Sequence, residues 1–299
     1  MNQSSGRLRH FTPLRYPGGK GRLAPYVKEI LEANDLLDGE YVEPFAGGAA
    51  IAMELLFHEY VTKVHINDLS KPVYAFWNSV LRQTDALCAL IRDTPLTMET
   101  WQKQKEVFRS EDVADELGLG FSFFFLNRTN RSGILNGGVI GGKAQDGPWK
   151  MDARFNVPEL IARIEAIAAL KDRISLTNLD AVKFLSAGRE SWRERTLIYC
   201  DPPYYVKGRE LYYHFYLQDD HLQIAALMKS MSRQKWIVSY DNVEPIVQMY
   251  PSFRHLTYDI GYSARAAKQG SEVMFFSENL TMPQVVGAIE ETARTSRLA

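Results

Sequence analysis

The sequence predicts an α/β fold in which one sheet is built from both ends of the chain around an inserted, mainly helical unit. Three observations carry this. Strand-like and helix-like runs alternate at both ends, and between residues 71 and 157 they do not. In "TLIYC" Leu197, Ile198 and Tyr199 run apolar or aromatic without alternating, as a buried parallel strand does. At 299 residues and 45% hydrophobic, the chain can bury a large core.

The first strand is expected in "YVEPF" (41–45), which meets the small-residue turn "AGGAA". It leads into "AIAMELLFHEY", where Ile51, Leu55 and His58 have helical spacing. "KVHIND" (63–68) is the next strand. From "KPVYAFWNSVLRQ" to "FSFFFLNR" apolar positions recur three and four apart, so the pattern is helical. A Gly- and Asn-rich stretch follows over 127–155, a helix is expected over 158–173, and strands resume with "ISLTN", "TLIYC", "WIVSY" and "VMFF". The expected domains are therefore 1–70 with 158–299, and an insert at 71–157.

Net charge is −1, so no global field draws the chain to nucleic acid, and any such contact needs a local patch. Residues 128–154 hold five basic side chains against two acidic ones, in a loop whose composition suits phosphate and base-edge contacts; an ordinary solvated loop is the alternative. Cys88 and Cys200 are far apart, with neither metal-site spacing nor a disulfide framework. The start, "MNQSSGRLRHF", lacks a signal peptide's apolar stretch, and no apolar run reaches membrane-spanning length. A cytoplasmic location with no membrane and no metal is expected.

Chemistry concentrates in three places. In "IYCDPPYY" (198–205) a buried strand runs into two prolines, which can neither donate to a ladder nor enter a helix. Asp201 is thus left on stiff backbone at the strand's carboxyl end, where α/β sheets bind ligands. In "EPFAGG" (43–48) small residues between strand and helix let a ligand approach the backbone, and Asp68 ends the next strand, placed to grip ribose hydroxyls. Asp68 would equally serve as a helix N-cap. The G-x-G-x-x-G pattern that seats a pyrophosphate is absent, so a ligand with ribose and adenine but no phosphate fits better, and S-adenosylmethionine is the common one. "RYPGGK" (15–20) is, alone, a turn.

Taken in this order, "RYPGGK", "EPFAGG", an acidic residue after the next strand and a late "DPPYY" resemble the DNA adenine N6-methyltransferase family, the Dam-like D12 class. The resemblance spans roughly 14–276. "FLNRTNRSGIL" and "ARFNV" look like the family's target-recognition segment and its exit, and Ala181 departs from it where many members carry an aromatic residue beside the cofactor's adenine. The resemblance implies a Rossmann-like methyltransferase sheet, mostly parallel with one antiparallel strand, and S-adenosyl-L-methionine as cofactor.

It implies a cofactor site of Tyr16, Lys20, Glu43, Pro44, Phe45, Ala46, Gly47, Gly48, Asp68, Asp180 and Asp201. Lys20 would meet the methionine carboxylate or nearby backbone, Asp68 the ribose and Asp180 the adenine amino group. Catalysis falls to Asp201, Pro202, Pro203 and Tyr204. The carboxylate and the Pro202 carbonyl would accept from the adenine N6 amino group as it pyramidalises, while Tyr204 stacks on a flipped-out base. Contacts to double-stranded DNA are expected from Arg128, Arg131, Ser132, Asn136, Lys143 and Lys150. The aromatic, basic run 205–216 would either close over the base or form the core of a hairpin.

The expected protein is a monomer at the nucleoid; its recognition sequence, and whether a restriction or phage-defence partner accompanies it, stay open. The alternatives are an RNA adenine methyltransferase, a protein amide methyltransferase (whose Asn-Pro-Pro-Tyr this chain lacks), a DNA-binding relative with weak catalysis, and a nicotinamide oxidoreductase.

Overall fold

A computed structural model of the chain describes residues 11–15, 20–206, 216–260, 270–286 and 294–296. Its strands are β1 (Gly39–Glu43), β2 (Val61–Asn67), β3 (Ile174–Thr177), β4 (Thr196–Cys200), β5 (Lys235–Asp241), β6 (His255–Ile260), β7 (Gly270–Phe276) and the three-residue edge strand β8 (Arg294–Ser296). They form one sheet in the order β3-β2-β1-β4-β5-β7-β6-β8. β3 through β5 are parallel, and β7 runs antiparallel between β5 and β6. This is the Rossmann-like sheet expected from the motifs, with β6 added where no strand was expected and β8 pairing antiparallel outside it.

The chain winds outward from β1 to β3 and then returns to place β4 on β1's other side. That reversal opens a crevice at the carboxyl ends of β1 and β4, where neighbouring connections leave in opposite directions. β1 and β4 are buried at every position; β4 reads accordingly as an apolar run, while β1 buries Glu40 and Glu43 beside Tyr41 and Val42.

Helices cover both faces. On one lie α1 (Ala24–Ala33), α2 (Ala50–Phe57), α3 (Lys71–Arg82), α4 (Thr84–Asp93), α5 (Met98–Ser110), α6 (Glu116–Thr129) and α7 (Val157–Ala168). On the other lie α8 (Ala181–Gly188), α9 (Gln218–Ser230) and α10 (Glu244–Met249). Each face has its own hydrophobic cluster, one centred on Tyr41, Trp77 and Phe124, the other on Ile198, Trp236 and Phe275.

Helices α3 to α6, within the expected insert, share the first cluster with sheet residues such as Leu197 and Ile237. α6 reads "ELGLGFSFFFLNRT" and is buried almost all round, which a helix held between others requires. At Gly120 a Cβ would stand 2.7 Å from the Ala75 backbone, so a glycine is what lets α6 cross α3 this closely. Asp115 caps α6 by accepting from the Gly118 N–H, and Thr97 caps α5 likewise from Thr100.

Candidate active site

The loops leaving β1 and β2 are wired together by one buried amide. Asn67, at the end of β2, donates to the carbonyls of Pro44 and Leu179 and accepts from the Leu179 N–H and the Thr177 hydroxyl. With its amide fully used, it fixes the three strand ends relative to one another. The "EPFAGG" turn follows. Gly47 sits at φ 46°, in the left-handed region that glycine enters without cost. Its carbonyl accepts from the Trp77 indole N–H at 2.9 Å, and its N–H donates to Asp68 Oδ2 at 2.9 Å. Asp68 Oδ1 accepts from the Ser70 N–H, so this carboxylate organises the turn while lining the cavity.

Above these ends opens a cavity of about 840 Å³, lined among others by Glu43, Phe45, Ala46, Gly47, Gly48, Asp68, Asp201 and Pro203. Its size is that of a small-molecule site. Tyr216 meets Phe45 edge-on at its wall. Glu43 is buried, accepts from the Ala52 N–H at the start of α2, and is pushed up to about 8 by burial, against the pull of its hydrogen bonds. Pro44 lies beneath the turn, held through its carbonyl. Asp180 caps α8, accepting from the Val182 and Lys183 N–H groups. Tyr16 lies outside the described residues, as does most of the run after Val206.

The ladder between β4 and β5 stops at the pair Cys200 and Val238, so Asp201 is the first residue beyond it. Its Oδ1 accepts a 2.6 Å bond from the Ser239 hydroxyl, which in turn accepts from the Tyr199 hydroxyl at 2.9 Å. The side chain keeps 22% of its surface open towards the cavity. Burial raises its pKa to about 6, with Glu272 adding to the rise and Lys20 and Ser239 opposing it.

Two expected roles need correction. Lys20 does line the cavity, but its side chain is only 4% exposed and its ammonium lies 2.6 Å from Glu272 Oε2 and 3.5 Å from Asp201 Oδ1. It is thus engaged by protein carboxylates rather than offered to a methionine carboxylate. Burial works against its charge, yet Asp201 and Glu272 together hold its pKa well above the ordinary lysine range. Tyr204 is 2% exposed and donates its hydroxyl to Glu272 at 2.5 Å, while Lys20 donates to the same hydroxyl. Its ring is packed behind Asp201, so no face is presented for a base to stack on. Glu272, Ser239, Asn67 and Trp77 were not expected; the signal that could have found Glu272 and Asn67 is a polar residue inside an apolar strand.

The basic residues divide. Arg131, Asn136, Lys143 and Lys150 are exposed on the loop between α6 and α7, and Ser132 is half-buried at φ 56°. Gln145 staples this loop by donating to the Ile140 and Gly142 carbonyls and accepting from the Met151 N–H. Arg128 instead turns inward, donating to the Arg154 and Pro13 carbonyls. With Arg15, Arg154 and Arg163 it lines the far side of the cavity. Burial and these neighbours lower its pKa to about 9.

A family model described as D12 class N6 adenine-specific DNA methyltransferase matches residues 16–262. The chain belongs to this family. The type II methyltransferase M.MjaIII of Methanocaldococcus jannaschii is 25% identical over 270 residues, covering 80% of this chain and 88% of that one. The retron Ec67 DNA adenine methylase of Escherichia coli is 24% identical over 282 residues, covering 89% and 91%. Among solved structures, a SAM dependent methyltransferase from Agrobacterium tumefaciens aligns at a TM-score of 0.40 with 9% identity, over 86% of this chain and 61% of that one.

The protein is an adenine-specific DNA methyltransferase that uses S-adenosyl-L-methionine. The residues present fit that cofactor: a left-handed glycine turn admits the ligand to the backbone, and an acidic side chain ends the adjacent strand. Among the described residues no group of three or more His, Cys, Asp or Glu side chains is placed to hold a metal, and no helix is long and apolar enough to cross a membrane.

Proposed function

We propose that the enzyme methylates a specific site in duplex DNA by taking a flipped-out adenine into the crevice, with Asp201 and the Pro202 carbonyl accepting from its amino group. The observation that carries this is Asp201 itself, which is fixed by Ser239 at the mouth of the cavity that Asp68 and Gly47 also line. S-adenosylmethionine supplies an electrophilic methyl group on a sulfonium. The amino nitrogen has its lone pair drawn into the ring and attacks poorly, so acceptors aimed at its N–H bonds act where charge develops. N6 would take the methyl group that the sulfonium supplies, leaving the cofactor as a neutral thioether. The surplus N6 proton passes to Asp201 and thence to water.

Since Tyr204 is buried, the apolar surface offered to the base is the half-buried ring of Pro203 on the cavity wall. The exposed Arg131, Asn136, Lys143 and Lys150 form the docking surface for the duplex, and the inward arginines face the phosphates of the extruded nucleotide. The type II methyltransferase among the relatives favours a restriction context for an enzyme that we take to act as a cytoplasmic monomer. In single-turnover methylation of DNA, Asp201→Ala should be at least ~100-fold slower with cofactor affinity little changed. A wild-type rate in that variant overturns the assignment.

A further inference from the structure

Behind Asp201 lies a charge cluster that the proposed transfer does not use. Glu272, in the antiparallel strand β7, has no solvent exposure. It accepts from the Lys20 ammonium at 2.6 Å, from the Tyr204 hydroxyl at 2.5 Å and from the Tyr258 hydroxyl at 3.0 Å. These donors come from the N-terminal segment, the turn after β4 and strand β6, the neighbour of β7. A carboxylate buried this deeply is costly unless it is paired and hydrogen-bonded, and a buried ion pair is weak grounds for stability. Its placement therefore asks for another reason.

The two acidic partners of Lys20 are unequal. The ammonium lies 2.6 Å from Glu272 but 3.5 Å from Asp201, beyond a short ion-pair contact. We propose that Glu272 is a positioning residue for methyl transfer: it draws the Lys20 ammonium off Asp201 and anchors Tyr204 behind it, so that Asp201 faces the adenine amino group as an accepting carboxylate rather than as half of an ion pair. This rests on the reading of Asp201 given above. A carboxylate fully committed to a lysine has less charge to offer a developing ammonium, and preorganised acceptors act only if they are not already satisfied.

Asp201 is faced by groups from every element packed around it. Lys20 comes from the N-terminal segment, Ser239 from β5 and Glu272 from β7. Tyr199 and Cys200 come from its own strand, Tyr41 and Glu43 from β1, and Tyr258 from β6. Lys20 and Glu272 are the closest charges and cancel as a pair, so removing either one unbalances the site in opposite senses.

The experiment is the pH profile of kcat/KM, whose acid limb reports the free enzyme's essential base. Asp201 must be ionised to accept, so activity falls as pH drops through its pKa. Glu272→Gln frees the ammonium to close on Asp201, which stabilises the ionised form. The acid limb should move to lower pH while the single-turnover rate falls roughly tenfold, the effect of misplacing one charged hydrogen bond. Lys20→Met leaves two buried carboxylates without their cation, and the limb should move to higher pH. Glu272→Asp keeps the charge and should leave the limb in place; it also tests the idea should Glu272→Gln not fold, as judged by thermal melting.

Limbs that move in the same direction in Glu272→Gln and Lys20→Met, or a Glu272→Gln enzyme with the wild-type rate and limb, overturn the positioning role. A purely structural role would lower melting temperature and rate without moving the limb in opposite directions. Asp201→Ala separates the two readings. If it is inactive while Glu272→Gln behaves as wild type, only the positioning role fails. If Asp201→Ala is active, the reading of Asp201 fails with it.

Discussion

Replacing Asp68 by alanine tests the cofactor site most directly, because its carboxylate carries two loads. Oδ2 accepts from the Gly47 N–H and Oδ1 from the Ser70 N–H, both at 2.9 Å. The same group ends β2 beside the cavity, where the ribose hydroxyls would donate to it. Losing a charged acceptor costs about 1.5–3 kcal/mol, which is roughly ten- to a hundredfold in Kd for S-adenosylmethionine by calorimetry. Losing the two backbone contacts should also destabilise the protein by about 1–3 kcal/mol, at about 2–4 °C of Tm per kcal/mol for a chain somewhat smaller than this one. Asp68→Asn separates the loads. It keeps one oxygen for the Ser70 N–H but has no charge for the ribose and sets an amide N–H against Gly47. Its affinity should therefore approach that of alanine while its melting temperature stays nearer wild type. Cofactor affinity within twofold of wild type in Asp68→Ala would refute the ribose assignment.

Three further outcomes are expected. Alanine at Arg131, Lys143 and Lys150 together should weaken duplex binding and reduce the log–log salt slope by about one unit for each residue that contacts a phosphate; an unchanged slope places the DNA surface elsewhere. Tyr204→Phe should not be silent, since it removes a donor from the buried Glu272; about 1–2 kcal/mol of stability should go, together with part of the methylation rate, and wild-type behaviour would leave the ring as the part that matters. Glu43 has its carboxyl pushed from 4.5 up to about 8, so the folded state holds a proton that the unfolded state has released. Stability should therefore fall as pH rises from about 5 to about 8, by an order of a few kcal/mol. Glu43→Gln should flatten that dependence in denaturant titrations of the cofactor-free protein, and an unchanged slope shows that Glu43 is not its source.

The sheet and both ligand-facing turns were legible because their constraints are local. A buried parallel strand reads as an apolar run, and proline or paired glycines mark where it stops. β6 was legible too, since "HLTYDI" alternates polar and apolar as a half-buried strand does, and Leu256 and Tyr258 point into the core. The charge network was hidden: Lys20, Asp201 and Glu272 become neighbours only once β7 reverses beside β5, and nothing near any one of them in sequence names the other two.

Tyr204 was hidden by the turn itself. Through the ladder successive side chains alternate, so Tyr199 and Asp201 share the cavity's side while Ile198 and Cys200 take the other. Carried past Asp201, that period would send Tyr204 to the Cys200 side. The two prolines end the strand, however, and the tyrosine hydroxyl reaches Glu272, whose cross-strand partner Tyr258 packs with Tyr199 on the cavity's side of the sheet. The turn therefore returns Tyr204 to the side of the carboxylate, a contact that depends on the assembled sheet.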